Sequence, residues 1–200
     1  MERDDPDVRL MLAFRAGDDS ALSDLYRRWA GPLLRYLERM VKERATAEEL
    51  VQESFIRVHQ AKDRYEPQAR FSTWLFRIGR NLALNELDLA RRKKPHLSTD
   101  LEKGEEDARP QLTLVSNTPS ADSILDARRT HEVVESVLAE LPERQRSALW
   151  LSTVEGHSYA EVAAVLETST ASVKSLIHRA RATIADRISD ATTSATEVRA

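Results

Sequence analysis

Apolar residues recur at intervals of three and four along both halves of this chain, which is the period of one buried helix face. The first such stripe consists of Leu22, Leu25, Tyr26, Trp29, Leu33, Leu37 and Met40. Long helices are possible because the 200 residues include only 5 Gly and 7 Pro. Two of these, Gly31 and Pro32, predict a bend or a restart within the first stripe. The pattern therefore predicts an all-α fold.

Two more helices are predicted in the first half. In the stretch ERATAEELVQESFIRVHQ, Thr46 and Glu49 have the spacing of a capping box. The buried stripe of this helix consists of Leu50, Val51, Phe55 and Val58. After a loop, Ser72 or Thr73 is expected to cap a further helix, which ends in a basic run before Pro95. The apolar side of that helix consists of Phe71, Trp74, Leu75, Ile78 and Leu82.

The helical pattern disappears between residues 96 and 127, where the sequence is polar, acidic and contains two prolines. This composition is typical of a flexible linker, and so long a stretch without a helical pattern is unusual within one domain. We therefore expect two small helical domains, residues 1–95 and 128–188, joined by an acidic linker. Residues 189–200 lack an apolar stripe and are expected to be disordered.

Pro142 separates two helices that the pattern predicts at the start of the second half. The apolar stripe before it consists of Val133, Val134, Val137, Leu138 and Leu141. The helix after it is expected to run from Glu143 to Thr153, followed by a turn at Gly156.

The next stretch predicts a pair of helices joined by a short turn. Ser158 and Glu161 form a second capping-box pattern. The residues expected to face the core are Tyr159, Val162, Ala163 and Leu166 in the first helix and Val173, Ile177, Ala180 and Ile184 in the second. The turn is Glu167–Ser169, and the second helix is expected to start near Thr170. This arrangement is typical of a DNA-binding helix-turn-helix, whose second helix enters the major groove.

The distribution of charge agrees with a nucleic-acid partner, although the net charge is −3. Residues 62–94 contain nine Lys or Arg and four Asp or Glu, and residues 168–187 contain four and one. At about 100° per residue, a polar face lies opposite the buried stripe of the second helix. Its members are Lys174, Ser175, His178 and Arg179. The alternative interpretation of this face is a solvated polar face on an ordinary helix pair. A repressor or activator that binds DNA fits the pattern equally well.

Three stretches follow one another along the chain: AEELVQESFIRVHQ, FSTWLFRIGRNLALNELDLARRKK and LPERQRSALWLSTVEGHSYAEVAAVLETSTASVKSLIHRARATI. Together they resemble the extracytoplasmic function (ECF, group IV) subfamily of sigma-70-type RNA polymerase sigma factors. The resemblance covers most of residues 10–95 and 130–187. It implies a first domain, similar to sigma region 2, that binds core polymerase and opens the −10 promoter element. It implies a second domain, similar to region 4, that reads the −35 element.

The resemblance also implies partners and contact residues. The partners are core RNA polymerase through its clamp helices and flap, promoter DNA, and a sequestering anti-sigma factor. The residues that match the polymerase-binding motif are Glu49, Leu50, Gln52, Glu53 and Phe55. Those in the −10 reading region are Arg70, Phe71, Trp74, Arg77, Arg80, Asn81, Asn85, Arg91 and Arg92. Those in the −35 region are Lys174, Ser175, His178, Arg179 and Arg181. The apolar members of these sets are equally good core residues.

One residue departs from the family pattern. Leu176 occupies a position where Arg is common in the family. It lies at the edge of the buried stripe, about 60° from Val173, and is expected to join the core without displacing the polar face. The missing Arg predicts a weaker −35 contact, and it leaves open a sigma-like protein that binds polymerase without starting transcription.

Other classes of protein are disfavoured by the sequence. The chain has no Cys, which excludes disulfides, zinc fingers and thiol catalysis, and its 5 His lack metal-ligand spacing. It has no P-loop, Gly-rich nucleotide motif or Gly-x-Ser-x-Gly, so we expect no enzyme activity, cofactor or metal. No apolar run approaches the roughly 20 residues of a membrane span, and we expect a cytoplasmic protein. The alternative function is a helix-turn-helix regulator that is not a polymerase subunit.

Overall fold

Helices make up almost all of the chain that the structure, a computed structural model, describes: residues 5–93 and 136–197. They are α1 (Pro6–Arg15), α2 (Asp19–Val41), α3 (Arg44–Gln60), a 3₁₀ helix (Lys62–Arg64), α4 (Phe71–Lys93), α5 (Glu143–Thr153), α6 (Tyr159–Val165) and α7 (Thr170–Glu197). Residues 136–140 are also helical. There is no strand in either range, and the predicted all-α fold is confirmed.

Aspartates open the first two helices. The carboxylate of Asp5 accepts a hydrogen bond from the backbone N–H of Asp7 at 2.9 Å, and that of Asp18 accepts one from Ser20 at 3.0 Å. Each carboxylate thereby satisfies a backbone donor that has no partner within its helix. Pro6 suits the first position of α1 because its missing N–H would have no partner there.

The Gly31-Pro32 pair does not restart the helix, because α2 is continuous from Asp19 to Val41. A proline inside a helix removes one backbone hydrogen bond. Burial of one side of α2 opposes that loss. The buried residues of α2 are Ala21, Leu25, Leu33, Tyr36, Leu37 and Met40.

Two of the predicted helix caps are wrong. Helix α3 begins before Thr46, whose hydroxyl donates to the carboxylate of Glu43 and does not cap the backbone. Helix α4 begins at Phe71, which places Ser72 and Thr73 within its first turn, where both are buried. Phe71 is itself fully buried, so its packing fixes the start of α4.

Gly79 allows α4 to lie very close to α2 and α3. A Cβ atom at this position would lie 2.9 Å from Cδ1 of Leu33 and 3.4 Å from Oγ of Ser54. Ser54 is fully buried, and its hydroxyl donates to the backbone carbonyl of Leu50 at 2.6 Å. The helix that carries most of the predicted −10 residues is therefore held directly against the core of the first half.

The second half follows the sequence prediction closely. Helix α5 spans Glu143–Thr153, as predicted. Helix α6 has the predicted capping box: Oγ of Ser158 accepts from the backbone N–H of Glu161 at 3.3 Å, and the Glu161 carboxylate accepts from that of Ser158 at 2.7 Å. Helix α7 begins at Thr170, as predicted, but extends to Glu197, into the segment that the sequence predicted to be disordered.

The two halves share one continuous apolar core, in which α6 packs on α4, and α5 lies beside α2. The buried residues of the second half within this core are Ala148, Leu151, Val162, Ala163, Val165, Leu166, Val173, Leu176 and Ile177. Tyr159, which was expected to face the core, is 37 % exposed instead. The linker predicted at 96–127 lies outside the described residues, as do Val133 and Val134.

Candidate nucleic-acid interface

The second helix of the helix-turn-helix presents one polar face to solvent. Its inner side is closed off by Val173, Ile177 and Ala180, each of which is buried. The residues predicted to read the −35 element are all exposed: Lys174, Ser175, His178, Arg179 and Arg181. This face therefore offers three cationic groups, a hydroxyl and an imidazole, which are the groups that contact phosphates and guanine edges.

The turn between α6 and α7 depends on a backbone conformation that non-glycine residues seldom adopt. Glu167 has a φ of 50°, in the left-handed region. The turn is closed by a hydrogen bond from the N–H of Thr168 to the carbonyl of Ala163 at 3.0 Å. From α5, a guanidinium nitrogen of Arg144 donates to the carbonyl of Leu166 at 3.2 Å. These bonds fix the angle at which α7 leaves the turn.

Leu176 lies in the core, as the sequence predicted. Only 7 % of it is exposed. Lys174 and Ser175, its neighbours in the chain, remain exposed beside it. Leu176 therefore leaves the polar face intact.

A second polar stripe follows α4. Arg77, Asn81 and Asn85 are exposed and lie at successive intervals of four residues, which places them along one side of the helix. Arg91 and Arg92 are exposed near the C-terminal end of the same helix. The stripe combines guanidinium groups for phosphates with amides that can both donate to and accept from base edges.

A cavity of about 480 Å³ opens beside this stripe, under the loop that precedes α4. The residues of its wall include Arg64, Arg77 and Trp74. The ring of Trp74 lies 5.0 Å from that of Tyr65, another wall residue. The hydroxyls of Tyr65 and Thr73, both wall residues, have no hydrogen-bond partner among the described residues. Burial raises the pKa of Tyr65 to about 12. The aromatic and cationic residues of this wall fit an unstacked base with its phosphate.

Three of the predicted −10 residues are buried or paired with a residue of the second half in this arrangement. Phe71 is fully buried and serves as a core residue. Arg70 pairs with Glu161 of α6 at 3.1 Å. Arg80 is 6 % exposed and makes two hydrogen bonds of 3.1 Å to Glu143 of α5. The sequence pattern offered no signal for these pairs, because their partners are distant in the chain.

The contact between the halves also alters the titration of buried groups. Burial raises the pKa of Tyr36 well above its ordinary value, while Ser147 accepts its hydrogen bond at 3.2 Å. Burial lowers the pKa of His157, whose ring packs 5.3 Å from that of Phe76. For Glu161, burial acts to raise the pKa, but hydrogen bonds from Ser158 and the charge of Arg70 hold it below its ordinary value. At neutral pH the junction therefore contains a neutral imidazole beside an ionised carboxylate.

The predicted polymerase-binding helix, α3, presents an acidic and polar face. Glu49 and Gln52 are exposed, and Glu53 is partly exposed and pairs with Arg57 at 3.0 Å. Leu50 and Phe55 from the same predicted set are buried, at 8 % and 7 % exposed.

Two apolar side chains that the sequence analysis did not assign to a surface adjoin this face. Ile56 is 48 % exposed, and Tyr26, predicted to be a core residue, is 44 % exposed with its ring 4.8 Å from that of Phe55. The spacing of apolar residues predicted that Tyr26 would be buried, and it predicted no role for Ile56.

Within residues 5–93 and 136–197, no group of His, Asp or Glu is arranged to hold a metal ion. No helix in the same ranges has the length and apolar character that crossing a membrane requires.

The second half thus carries a helix-turn-helix, and the first half carries a helix with exposed arginines and asparagines beside a cavity. Residues 25–93 match the family Sigma-70 region 2, and residues 131–184 match the family Sigma-70, region 4. One match lies in each half of the chain, with region 2 before region 4. The two matches together place the protein in the sigma-70 class.

Within that class, the chain belongs to the ECF RNA polymerase sigma factors. It is 30 % identical to the ECF RNA polymerase sigma-E factor of Salmonella typhimurium over 183 residues, 91 % of this chain and 94 % of the relative. The structure of CnrH in complex with the cytosolic domain of CnrY is similar at 25 % identity, with a TM-score of 0.64 over 92 % of this chain and 97 % of that one. Members of this family direct RNA polymerase to promoters and are not enzymes themselves.

A third comparison supports the fold alone. The sigma factor RpoE from Bartonella quintana, solved in complex with the anti-sigma factor NepR, has a TM-score of 0.61 at 18 % identity, over 84 % of this chain and 96 % of that one.

Proposed function

We propose that this ECF sigma factor binds core RNA polymerase through α3 and reads its promoter through two separate surfaces, one on each half. The observation that carries the proposal is the exposed cationic face of α7, since a recognition helix needs such a face and no other helix of the described second half has one. The two halves act as two domains, residues 1–95 and 128–188, joined by the acidic segment 96–127.

The test of this division of labour is reconstitution with core RNA polymerase. We expect the chain to form a holoenzyme that starts transcripts at a promoter with −10 and −35 elements. The competing function is a helix-turn-helix regulator outside the polymerase. If the chain binds duplex DNA tightly by itself and never associates with core enzyme, it is a regulator and not a polymerase subunit.

For the −35 element, we propose base and phosphate contacts from Lys174, Ser175, His178, Arg179 and Arg181. Arg179→Ala is expected to weaken −35 recognition by about 1–3 kcal/mol if its contact with guanine is bidentate. The matched control is Arg187→Ala, also on α7, whose guanidinium pairs with Glu140 at 2.9 Å. Holoenzyme binding to wild-type and −35-mutated promoters measures the difference. Equal losses for both variants would remove Arg179 from the site.

For the −10 element, we propose that the cavity near Trp74 holds an unstacked base and that the stripe on α4 follows the strand. The residues assigned to this surface are Arg70, Trp74, Arg77, Arg80, Asn81, Asn85, Arg91 and Arg92, with Phe71 supporting it from the core. Trp74→Leu is expected to lower discrimination between bases at the −10 element, because base–aromatic stacking contributes about 1–3 kcal/mol. Abortive transcription from promoters that carry single base changes in the −10 element measures this discrimination. Leu89→Ala, an exposed apolar change on α4, is the control.

For core polymerase, we propose that Glu49, Gln52 and Glu53 make contacts, with Leu50 and Phe55 holding their helix in place. Gln52→Ala is expected to reduce affinity for core enzyme. Gln60→Ala is the matched control, since it makes the same change at another exposed position of α3. Fluorescence anisotropy of labelled sigma with core enzyme compares the two. No difference between them would place the polymerase contact elsewhere.

We further propose that the protein acts in the cytoplasm beside the polymerase, that the polymerase performs all the chemistry, and that an anti-sigma factor sequesters the free chain. The solved complex of RpoE with NepR gives a precedent for such a partner in a protein of the same fold. The partner is identified by affinity purification from cells, followed by competition with purified core enzyme. A captured protein that leaves holoenzyme formation unchanged would not be the anti-sigma factor.

A further inference from the structure

The first helix, α1, is tied to other elements of the first half at both of its ends. At its start, the buried carboxylate of Asp7 accepts hydrogen bonds from the guanidinium of Arg28 and from Nε1 of Trp29, the latter at 3.0 Å. At its end, a guanidinium nitrogen of Arg15 donates to the backbone carbonyl of Tyr65 at 2.8 Å. No residue of α1 was given a role by the sequence pattern.

The end of α1 also packs against the elements that lead into the loop before α4. The buried ring of Phe14 lies 5.5 Å from the ring of His59, near the end of α3. The ammonium group of Lys62, in the 3₁₀ helix, lies 5.1 Å from the centre of the same Phe14 ring, within the range of a cation–π contact. The loop itself, residues 65–70, contains neither helix nor strand. It therefore begins beside α1.

The bond to Tyr65 reaches the cavity through a pair of rings. Tyr65 is buried, and its ring lies 5.0 Å from the ring of Trp74. Both residues belong to the cavity wall, whereas Arg15 does not. A displacement of the Tyr65 backbone would be transmitted to Trp74, because a buried ring cannot move without displacing its neighbours. Arg15 thus contacts the backbone of the wall from outside the cavity.

We propose that Arg15 is a positioning residue for the −10 site: it holds the Tyr65–Trp74 ring pair in the geometry that discriminates between bases. The inference rests on the function proposed above for the cavity. Backbone hydrogen bonds in the loop join near neighbours in the chain, such as Gln68 and Glu66 at 2.9 Å. The bond from Arg15 instead spans 50 residues of sequence, and its charged donor makes it stronger than a bond between neutral groups.

The test compares Arg15→Gln with the matched control Arg9→Gln, which makes the same change at another exposed position of α1. Glutamine removes the charge and shortens the side chain, and its helix propensity is close to that of arginine, so α1 is kept. Arg15→Lys is the rescue variant, because it keeps a charged donor on a long side chain.

Hydrogen–deuterium exchange of the free, full-length chain measures the loop without DNA. We expect residues 61–70 to exchange faster in Arg15→Gln than in wild type, because the loop loses its bond to α1. The same residues should exchange as in wild type in Arg9→Gln, and nearly so in Arg15→Lys. Peptides from α2 should be unchanged in every variant, which shows that the first half remains folded.

Base discrimination is measured with the holoenzyme, by abortive transcription from promoters that carry single base changes in the −10 element. We expect Arg15→Gln to lower the ratio of preferred to next-best base by about fivefold, because a misplaced ring loses part of its stacking. Arg15→Lys should restore most of this ratio, and Arg9→Gln should leave it unchanged. The slope of the logarithm of affinity against the logarithm of salt concentration should stay as in wild type, because no phosphate contact is lost.

Several results would overturn the inference. One is wild-type exchange of the loop in Arg15→Gln, and another is unchanged discrimination in spite of faster exchange. A third is equal weakening at every promoter with a salt slope shallower by about 0.7, since that result makes Arg15 a phosphate contact. Arg15→Lys behaving like Arg15→Gln in both measurements would also overturn it, because the hydrogen bond would not be the cause. Unchanged discrimination in Trp74→Leu refutes the proposed −10 site instead, whatever the exchange shows.

Discussion

Gly79→Ala tests whether the position of the reading helix α4 depends on the absence of a side chain. The new Cβ would lie 2.9 Å from Cδ1 of Leu33. Leu33 is fully buried, so it cannot move aside without displacing its neighbours. Overpacking of this kind costs about 1–3 kcal/mol, while alanine gains about 1 kcal/mol over glycine within a helix. The net expectation is a loss of stability of about 1 kcal/mol.

Urea unfolding followed by circular dichroism measures this loss as a lower midpoint at an unchanged slope. Gly31→Ala is the matched control, since its Cβ would meet only Nη1 of Arg35, at 3.7 Å, beyond its own chain neighbours. Its gain in helix propensity is opposed by contact with the ring of Pro32, so we expect a change below about 0.5 kcal/mol. A midpoint for Gly79→Ala at or above that of the wild type would refute the close-packing argument.

Three further predictions concern the second half. Ser158→Ala removes the cap of α6 and should lower the free energy of unfolding by about 1 kcal/mol; an unchanged urea midpoint would contradict it. Burial lowers the pKa of His157 in the folded chain. Near and below the ordinary histidine pKa of 6.5, this imidazole therefore binds more protons in the unfolded chain than in the folded chain. Stability should therefore fall as the pH is lowered from about 7.5 to about 5.5, and it should fall less steeply in His157→Gln. Leu176→Arg should add a phosphate contact, so the slope of the logarithm of affinity for the −35 element against the logarithm of salt concentration should steepen by about 0.9. The same change should lower stability by about 1–3 kcal/mol, because the buried leucine is lost. An unchanged salt slope would count against a phosphate contact at this position.

Features that depend on neighbouring residues were predictable from the sequence. The start of α5 is set by Pro142, and the start of α7 is set by the turn at Glu167–Ser169, both local signals. The capping box of Ser158 was correct, but that of Thr46 was not, because α3 had already begun. The same spacing fits a cap or an interior turn, and packing decides between them.

The sequence by itself determined the all-α fold, the family and the exposed face of α7, because helical period fixes which residues share a side of a helix. It could not determine what that side packs against. Only the tertiary structure joined Arg80 to Glu143, which are 63 residues apart, and paired Arg70 with Glu161 across the junction. The physical reason is that a cation at the edge of an apolar stripe is favourable with either a phosphate or a carboxylate as partner. The choice of partner depends on what lies against α4, and in this structure that is the second half of the chain.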